Sequence, residues 1–437
     1  MKHRFHVFLV VILALLVNVG MGFYGYCKDI DGTNGQKGTL RNIDMMIQAL
    51  QLIRRNYVDG DKISTEELLH GAIEGMTAKL DPFSTFLPPR DAEFLQDETE
   101  GKFGGVGISI NQKNGVLTVI STIPGTPAYK AGILPEDQII EVDGTSIEKG
   151  SLDEILYKLR GDVGSKVVIG VRRDKKRELL KFKMTRASIP IQSVVDLQMV
   201  PSTQIGYFRI TQFMRPTAQE VQEALIKLLG ENAQKIIIDL RGNPGGLLSS
   251  AVDVCSLFLP ENMPVVSIEG RNSEMNNIEK SRISYKFPKN IPIILIINGG
   301  SASAAEIMSG CLNDYHRAVL LGEKSFGKGS VQNINELMDG CVLKLTIAKY
   351  YTPSRRVIHN KGIMPNIEVK MTREAYMKLL EADHDQIFAL DPQIQEAIKI
   401  IRDPKAYANV FAKKDVPLIE KNSVNNKQEK TEKENKK

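Results

Sequence analysis

The 437-residue chain has no tryptophan, six histidines and four cysteines. Cys27, Cys255, Cys311 and Cys341 form no close pair with metal-ligand spacing, so neither a zinc module nor a disulfide-built scaffold is implied. Beyond the first 26 residues histidine occurs only at His70, His316, His359 and His384, none in a recognisable triad context. A nucleophile in this chain therefore needs a base other than the usual imidazole. Excess charge is also missing from the body. Of the formal net charge of +5, Lys2 and Arg4 supply two, and residues 421–437 hold six Lys against three Glu, which leaves 27–420 formally neutral. No nucleic-acid partner is expected on that balance. What is there is ordinary globular usage, 42% hydrophobic and 25% charged, which excludes a collagen-like or wholly disordered chain. The length suggests about three folding units.

The first residues form a short basic head followed by an apolar run from Val7 to Val19, the layout of an export signal. Gly20 and Gly22 are small residues suitably placed for a cut before Phe23. The apolar stretch can equally be extended to Tyr26, about 20 residues, enough for an uncleaved membrane anchor. Both readings place the body outside the cytoplasm.

Ile43, Met46, Ile47, Leu50 and Ile53 recur at helical spacing, as do Leu68, Leu69, Ala72 and Met76, until Asp81-Pro82 and Pro88-Pro89 interrupt the pattern. This predicts an amphipathic helical arm, which either packs or contacts a second copy; packing is the commoner outcome. From Gly101 short strands alternate with turns (GVGISI, GVLTVI, DQIIEVDG, KVVIGVRR). One helix is expected among them, SLDEILYKLRG, with Ser151 and Glu154 as a capping box and Leu152, Ile155, Leu156 and Leu159 as its apolar stripe. After about Ala187 the pattern becomes α/β. Gly206 to Ile210, Lys235 to Leu240 and Ile291 to Ile297 are apolar strands, the last two continuous enough for a parallel sheet buried on both faces. Helices return over 371–420, and 421–437 is too polar to order itself.

A buried strand ending at Asn298, two glycines, and small residues leading into a helix from about Ala302 place Ser303 in the positive field of a helix N-terminus. Ser303 is the candidate nucleophile; the competing reading is that Ser301 or Ser303 merely caps the helix. Lys328, flanked by Gly327 and Gly329, can approach another backbone closely and serve as base if desolvation leaves it neutral. Gly322 to Gly329 also reads G-x-x-x-x-G-K-G, which lacks the Ser or Thr that a phosphate-binding loop needs after its lysine.

The segment from Ser301 to Gln332 resembles the C-terminal processing peptidases, also called tail-specific proteases, with their S-A-S-A-S-E and T-F-G-K-G-x-V-Q runs. The departures are Ala305 for the third Ser and Ser325 for Thr. The resemblance implies a serine endopeptidase with a Ser303/Lys328 dyad and Gln332 orienting the lysine. Asp239 to Gly246, DLRGNPGG, matches the family's D-L-R-x-N-x-G-G loop, which implies that the amides of Gly246 and Ala304 form the oxyanion hole. KLTIAKYYTPS and GIMPNIEV continue the match, Asn366 replacing the usual Asp. LDPFSTFL, from Leu80 to Leu87, is similar to the family's L-D-P-H-S-x-F-L, with Phe83 for His. Family alignments also place an acidic residue at Asp314, but 11 residues on a helix set it about 16 Å from Ser303. It reads as structural, with Arg317 as its expected partner. Gln332, four residues from Lys328, shares a site with it only if the segment turns.

The strand-rich block resembles a PDZ domain. TIPGTPAYKAGILPEDQIIEVDG carries its central signature, and GKFGGVGI its carboxylate-binding loop, with Gly105, Val106, Gly107 and Ile108 as the contacts to a chain-terminal carboxylate. The resemblance implies an α+β, α/β multidomain chain: a signal or anchor over 1–26, a helical arm over 31–100, and a PDZ domain over 101–186. A catalytic core of the ClpP/crotonase type spans 187–370, followed by C-terminal helices over 371–420 and a tail over 421–437. The implied function is cleavage of proteins held by an apolar free C-terminus, without metal or nucleotide, in the periplasm or on the outer face of the cytoplasmic membrane. An envelope adaptor and a homo-oligomer formed through the helical arms are the expected partners. The rival readings are a catalytically silent PDZ scaffold and a P-loop ATPase.

Overall fold

The computed structural model describes residues 35–113, 116–147, 152–173, 178–282, 287–382 and 386–412. The signal or anchor segment 1–26, Ser151 with its expected capping box, His384 and the tail 421–437 lie outside the described residues or side chains. Among the described residues no helix is long and apolar enough to cross a membrane. They fall into two compact units divided between Phe86 and Leu87.

The first unit contains α1 (Gly35–Asn56) and α2 (Thr65–Thr77). A capping box starts α2: the Glu67 amide donates to Ser64 Oγ at 3.0 Å, and the Ser64 amide to Glu67 Oε2 at 2.7 Å. Asp81 then closes a turn by accepting the amides of Phe83 and Ser84 and the Ser84 hydroxyl. Among the described residues nothing covers the α1 stripe as packing would require, and Ile43, Met46, Ile47 and Ile53 are exposed.

The second unit opens with α3 (Pro89–Glu100), begun by proline and ended by Gly101 in the left-handed conformation. The strand-rich block follows as β1 (Lys102–Gly105), β2 (Ile108–Lys113), β3 (Val116–Thr122), α4 (Pro127–Ala131), β4 (Gln138–Val142), α5 (Leu152–Leu159), β5 (Lys166–Arg172), β6 (Leu179–Thr185) and β7 (Ala187–Pro190). Strands β2 to β6 pair antiparallel in sequence order, while β1 pairs with β7. Val119, Ile139, Ile169 and Val171 of the sheet pack with Ile155 and Leu159 of α5 into one core. Among the described residues the block holds two helices where the apolar periodicity shows one. The short α4 has too few residues for a stripe, and its signals are Pro127 at its start and Gly132 at its end. Buried Arg186 donates to the Lys158 and Leu159 carbonyls at the end of α5 and to Lys166 O and Ser165 Oγ, which ties helix to sheet.

The catalytic-core region is built on a sheet ordered β8 (Val194–Met199), β9 (Ile205–Ile210), β10 (Lys235–Asp239), β13 (Ile293–Ile297), β14 (Val319–Gly322) and β17 (Ile367–Glu368). Strands β9 to β17 of this sheet are parallel to one another, and β8 is antiparallel. Alternate side chains bury opposite faces, as a two-sided sheet requires. Ile236, Ile238 and Leu295 pack under α6 (Thr217–Gly230), α7 (Leu248–Ser256) and α8 (Ala304–Asp314). Ile237, Ile294 and Ile296 pack on the other face with Ile394, Ala397 and Ile401 of a C-terminal helix, Pro392–Arg402. A second sheet joins β11 (Pro264–Gly270), β12 (Asn277–Lys280), β15 (Ser330–Glu336) and β16 (Val342–Tyr351) in antiparallel pairs.

Gly104 and Gly161 join the end of α5 to β1, the Gly161 amide donating to Gly104 O at 3.1 Å. A Cβ at Gly104 would stand 2.0 Å from Gly161 O. Gly104→Ala is expected to lower stability by about 1–3 kcal/mol in denaturant titration, the usual effect of overpacking.

Candidate active site

Ser303 sits where the chain leaves β13 and enters α8, at φ +53° and ψ −114°. A non-glycine residue there is strained by roughly 1–3 kcal/mol, so its surroundings must impose the conformation. They do so from several sides. Ser301 Oγ donates to Leu240 O at 2.8 Å and accepts the Asn298 amide, and the Ala302 amide donates to Asn243 O at 2.9 Å. Ser301 is thus the turn's internal tie, and Ser303 carries its hydroxyl to the cavity. Gly245 approaches so closely that a Cβ on it would lie 2.6 Å from Ser303 Cβ.

Gly246, at φ +134°, bridges to Phe213, and a Cβ there would meet Phe213 O at 2.1 Å. Its glycine is therefore fixed by packing as well as by conformation. Ala304 is the first residue of α8, where an amide has no intrahelical acceptor. The loop bearing Gly246 is anchored at its other end by Arg241. That side chain donates to Asp239, to Asp391 at 2.7 Å and to Gln393 at 2.9 Å. Burial opposes ionisation of Asp239, yet Arg241's charge and hydrogen bonds outweigh it and hold the carboxyl below its ordinary range.

The lysine loop runs from β14 to β15. Its neighbours justify both glycines: a Cβ on Gly329 would lie 2.4 Å from His359 N, and one on Gly327 would lie 3.0 Å from Gly362 N. The two glycines thus let the loop on either side of Lys328 lie against the 359–362 backbone. The loop feeds a strand and not a helix, so the phosphate-loop reading fails on context.

Glu306 joins the two halves and was not singled out by residue type. It is fully buried, and its carboxylate accepts the Ser303 amide at 2.9 Å, Ser325 Oγ at 2.5 Å, the Gly327 amide at 2.8 Å and the Lys328 amide at 2.9 Å. Burial raises its carboxyl above the usual range, against the lowering effect of these four donors. The available signal was Ser303-x-x-Glu306, the spacing of a capping box. Tyr350, also unassigned from sequence, donates its hydroxyl to Lys328 O. Burial pushes its phenol well above the ordinary value, so it stays protonated.

Ser303, Lys328, Gln332, Gly246 and Tyr350 line one cavity of about 370 Å³, which among the described residues has no histidine in its wall. Gln332 lies on β15, past a register shift between Val331 and Gln332, and donates to Ser330 Oγ at 2.9 Å and Thr346 Oγ1 at 3.2 Å. Asp314, at the far end of α8, takes Arg356 as its ion-pair partner and the Ser354 amide at 2.9 Å. Arg317, the expected partner, instead donates to the carbonyls of Ile291 and Pro288. Of the four expected carboxylate-loop residues, Gly105 ends β1 opposite Ala187 and Ile108 begins β2. Val106 and Gly107 form the turn between them, Val106 O accepting the Ala128 amide and Gly107 O the Ile123 amide.

Glu306→Gln keeps the shape but turns a donor toward amides that already need acceptors. It should cost about 1–3 kcal/mol of stability and reduce peptide hydrolysis. Thermal melting together with turnover measurements checks both.

Residues 204–369 match the model of peptidase family S41, 118–173 that of a PDZ domain, and 27–90 that of the activating protease CtpB N-terminal domain. The carboxy-terminal processing protease CtpA of Bacillus subtilis (strain 168) is 33% identical over 388 residues, covering 88% of this chain and 81% of the relative. CtpB of the same organism is 35% identical over 330 residues, 75% and 68% of the two chains. The carboxy-terminal-processing protease of Bartonella bacilliformis is 36% identical over 343 residues, 77% of each. The chain, with its serine-centred cavity, helical N-terminal unit and PDZ domain, belongs to the C-terminal processing peptidases of family S41 and is a serine peptidase.

Proposed function

We propose that this peptidase works by a Ser303/Lys328 dyad on proteins presented by their free C-terminus, outside the cytoplasm. The observation that carries the dyad is the single cavity shared by strained Ser303, Lys328, Gln332 and Gly246. Neutral Lys328 takes the proton from Ser303 Oγ as the oxygen attacks the scissile carbonyl. The Gly246 and Ala304 amides stabilise the tetrahedral oxyanion. The carbon–nitrogen bond then breaks, Lys328 returns its proton to the departing amine, and an acyl-enzyme remains. Lys328 next deprotonates water, which attacks the ester; the ester carbon–oxygen bond breaks, and Lys328 passes that proton to Ser303 Oγ as the acid product leaves. Gln332 orients the lysine from β15.

Tail binding belongs to the PDZ domain, with the terminal carboxylate at the Gly105–Ile108 segment and the chain between β2 and α5. A link to the cleft is available at Arg160, just after α5. Its guanidinium lies 5.3 Å from the Phe94 ring centre of α3 and 4.5 Å from that of Phe103. The basic and apolar N-terminus supports export to the periplasm or the outer face of the cytoplasmic membrane. The exposed apolar stripe of α1 supports self-association, and an envelope adaptor remains part of the proposal on the family's resemblance.

Ser303→Ala and Lys328→Ala should each lower cleavage of an unstructured protein with an apolar C-terminus by at least about 10⁴-fold, with tail affinity retained. If the parent chain binds the tail and cuts under no condition, the dyad proposal is wrong and a binding role replaces it. Arg160→Ala should leave tail binding intact and abolish its effect on turnover. Unchanged tail-dependent stimulation in that variant would exclude Arg160 as the link.

A further inference from the structure

The catalytic cavity continues beyond the dyad. Leu95, Thr99 and Ile334 line it, and the same three residues line a second cavity of about 600 Å³ that runs between α3 and the β15–β16 hairpin. Three further observations say what occupies this path. Among the described residues β15 pairs only with β16, so its other edge offers unpaired backbone groups to an extended chain. That strand begins at Ser330, two residues after Lys328, so a chain laid along it starts at the chemistry. Past the register shift, side chains alternate, placing Gln332, Ile334 and Glu336 on one face. Of these, Gln332 and Ile334 line the catalytic cavity, while Ile334 and Glu336 line the next.

Ile334 is a large aliphatic residue left 50% exposed in this position, and Leu95 stands in the same walls. We infer that Leu95 of α3 and Ile334 of β15, where the catalytic cavity meets the next one, form an apolar specificity subsite for a substrate side chain away from the scissile bond. It receives the side chain about two residues along an extended chain from the place of Gln332, a step of roughly 7 Å on a strand. The inference rests on the peptide cleavage proposed above. Its ligand is an aliphatic side chain of the substrate at one fixed distance from the scissile bond.

Leu95 also belongs to the helix whose other face meets the PDZ domain. Arg90 lies 3.4 Å from the ring centre of Tyr157, and Phe94 lies under Arg160. The C-terminal end of α3 is fixed to the core, the Arg215 amide donating to Thr99 O and its guanidinium pairing with Glu100. The subsite is thereby bounded on one side by an element that both domains hold.

The test uses the full chain and a synthetic library of unstructured peptides that share one apolar C-terminus, with cut sites read by mass spectrometry. The parent should favour Leu, Ile or Val over Gly at one position away from the scissile bond by on the order of tenfold in kcat/KM. In Leu95→Ala and Ile334→Ala that ratio should fall to about twofold or less, and Leu95→Met should restore it. Because the ratio compares two peptides on one enzyme, partial unfolding of a variant cancels. A parent with no preference beyond the residues flanking the cut, or variants that keep the parent's ratio, overturns the subsite while leaving the dyad in place. A parent that cleaves no library member overturns both.

Discussion

The structure around Ser303 depends on a buried carboxylate. Glu306 is fully buried, a buried carboxyl needs hydrogen-bond donors, and the four it has come from both sides of the site. One is the amide of Ser303; the others lie on the loop that carries Lys328. Neither segment can shift alone without leaving a buried charge short of a partner. This constraint holds a strained serine in place and gives the lysine loop its register. Ser325, which stands where relatives commonly have threonine, supplies one of those donors, so the departure keeps the chemistry the position requires.

Around this contact the parallel sheet acts as a fixed frame. Its central strands are buried on both faces, so their ends cannot move without opening two hydrophobic cores. The Asp239 loop and the Ser303 turn leave adjacent strands, β10 and β13, at their C-terminal ends, which is where an open α/β sheet exposes its loops to ligand. Arg241 pins the first loop to the C-terminal helical region through Asp391 and Gln393, so residues late in the chain help hold the Gly246 turn. The oxyanion amides proposed above thus depend on packing far from them in sequence.

Much of this was legible in the chain itself. Continuous apolar runs at Lys235–Leu240 and Ile291–Ile297 read as two-sided strands because every second residue had to be apolar on each face. That Ser303 and Lys328 belong together could be expected from a strand-to-helix turn and a glycine-flanked lysine, with Gln332 added by the family resemblance, and the three line one cavity. Other features were not legible. The partner of Asp314 is Arg356, 42 residues away, while the nearer Arg317 satisfies carbonyl groups. Proximity in sequence misleads when a helix end packs against a distant loop. Helix α4 escaped periodicity because five residues make little more than one turn.

Propensity and functional-group type are local properties, so the long two-sided strands and a serine and a lysine capable of acyl-transfer chemistry can be read from the chain alone. The fold is needed to show that Glu306 ties Ser303 to the Lys328 loop, that Tyr350 closes on Lys328 O, that the glycines meet distant backbone, and that α3 and β15 share the walls of the cleft. Those relations require segments tens or hundreds of residues apart to meet. Their meeting is fixed by the burial of the sheet between them and by the need of each buried polar group for a partner, neither of which any single stretch of chain can express.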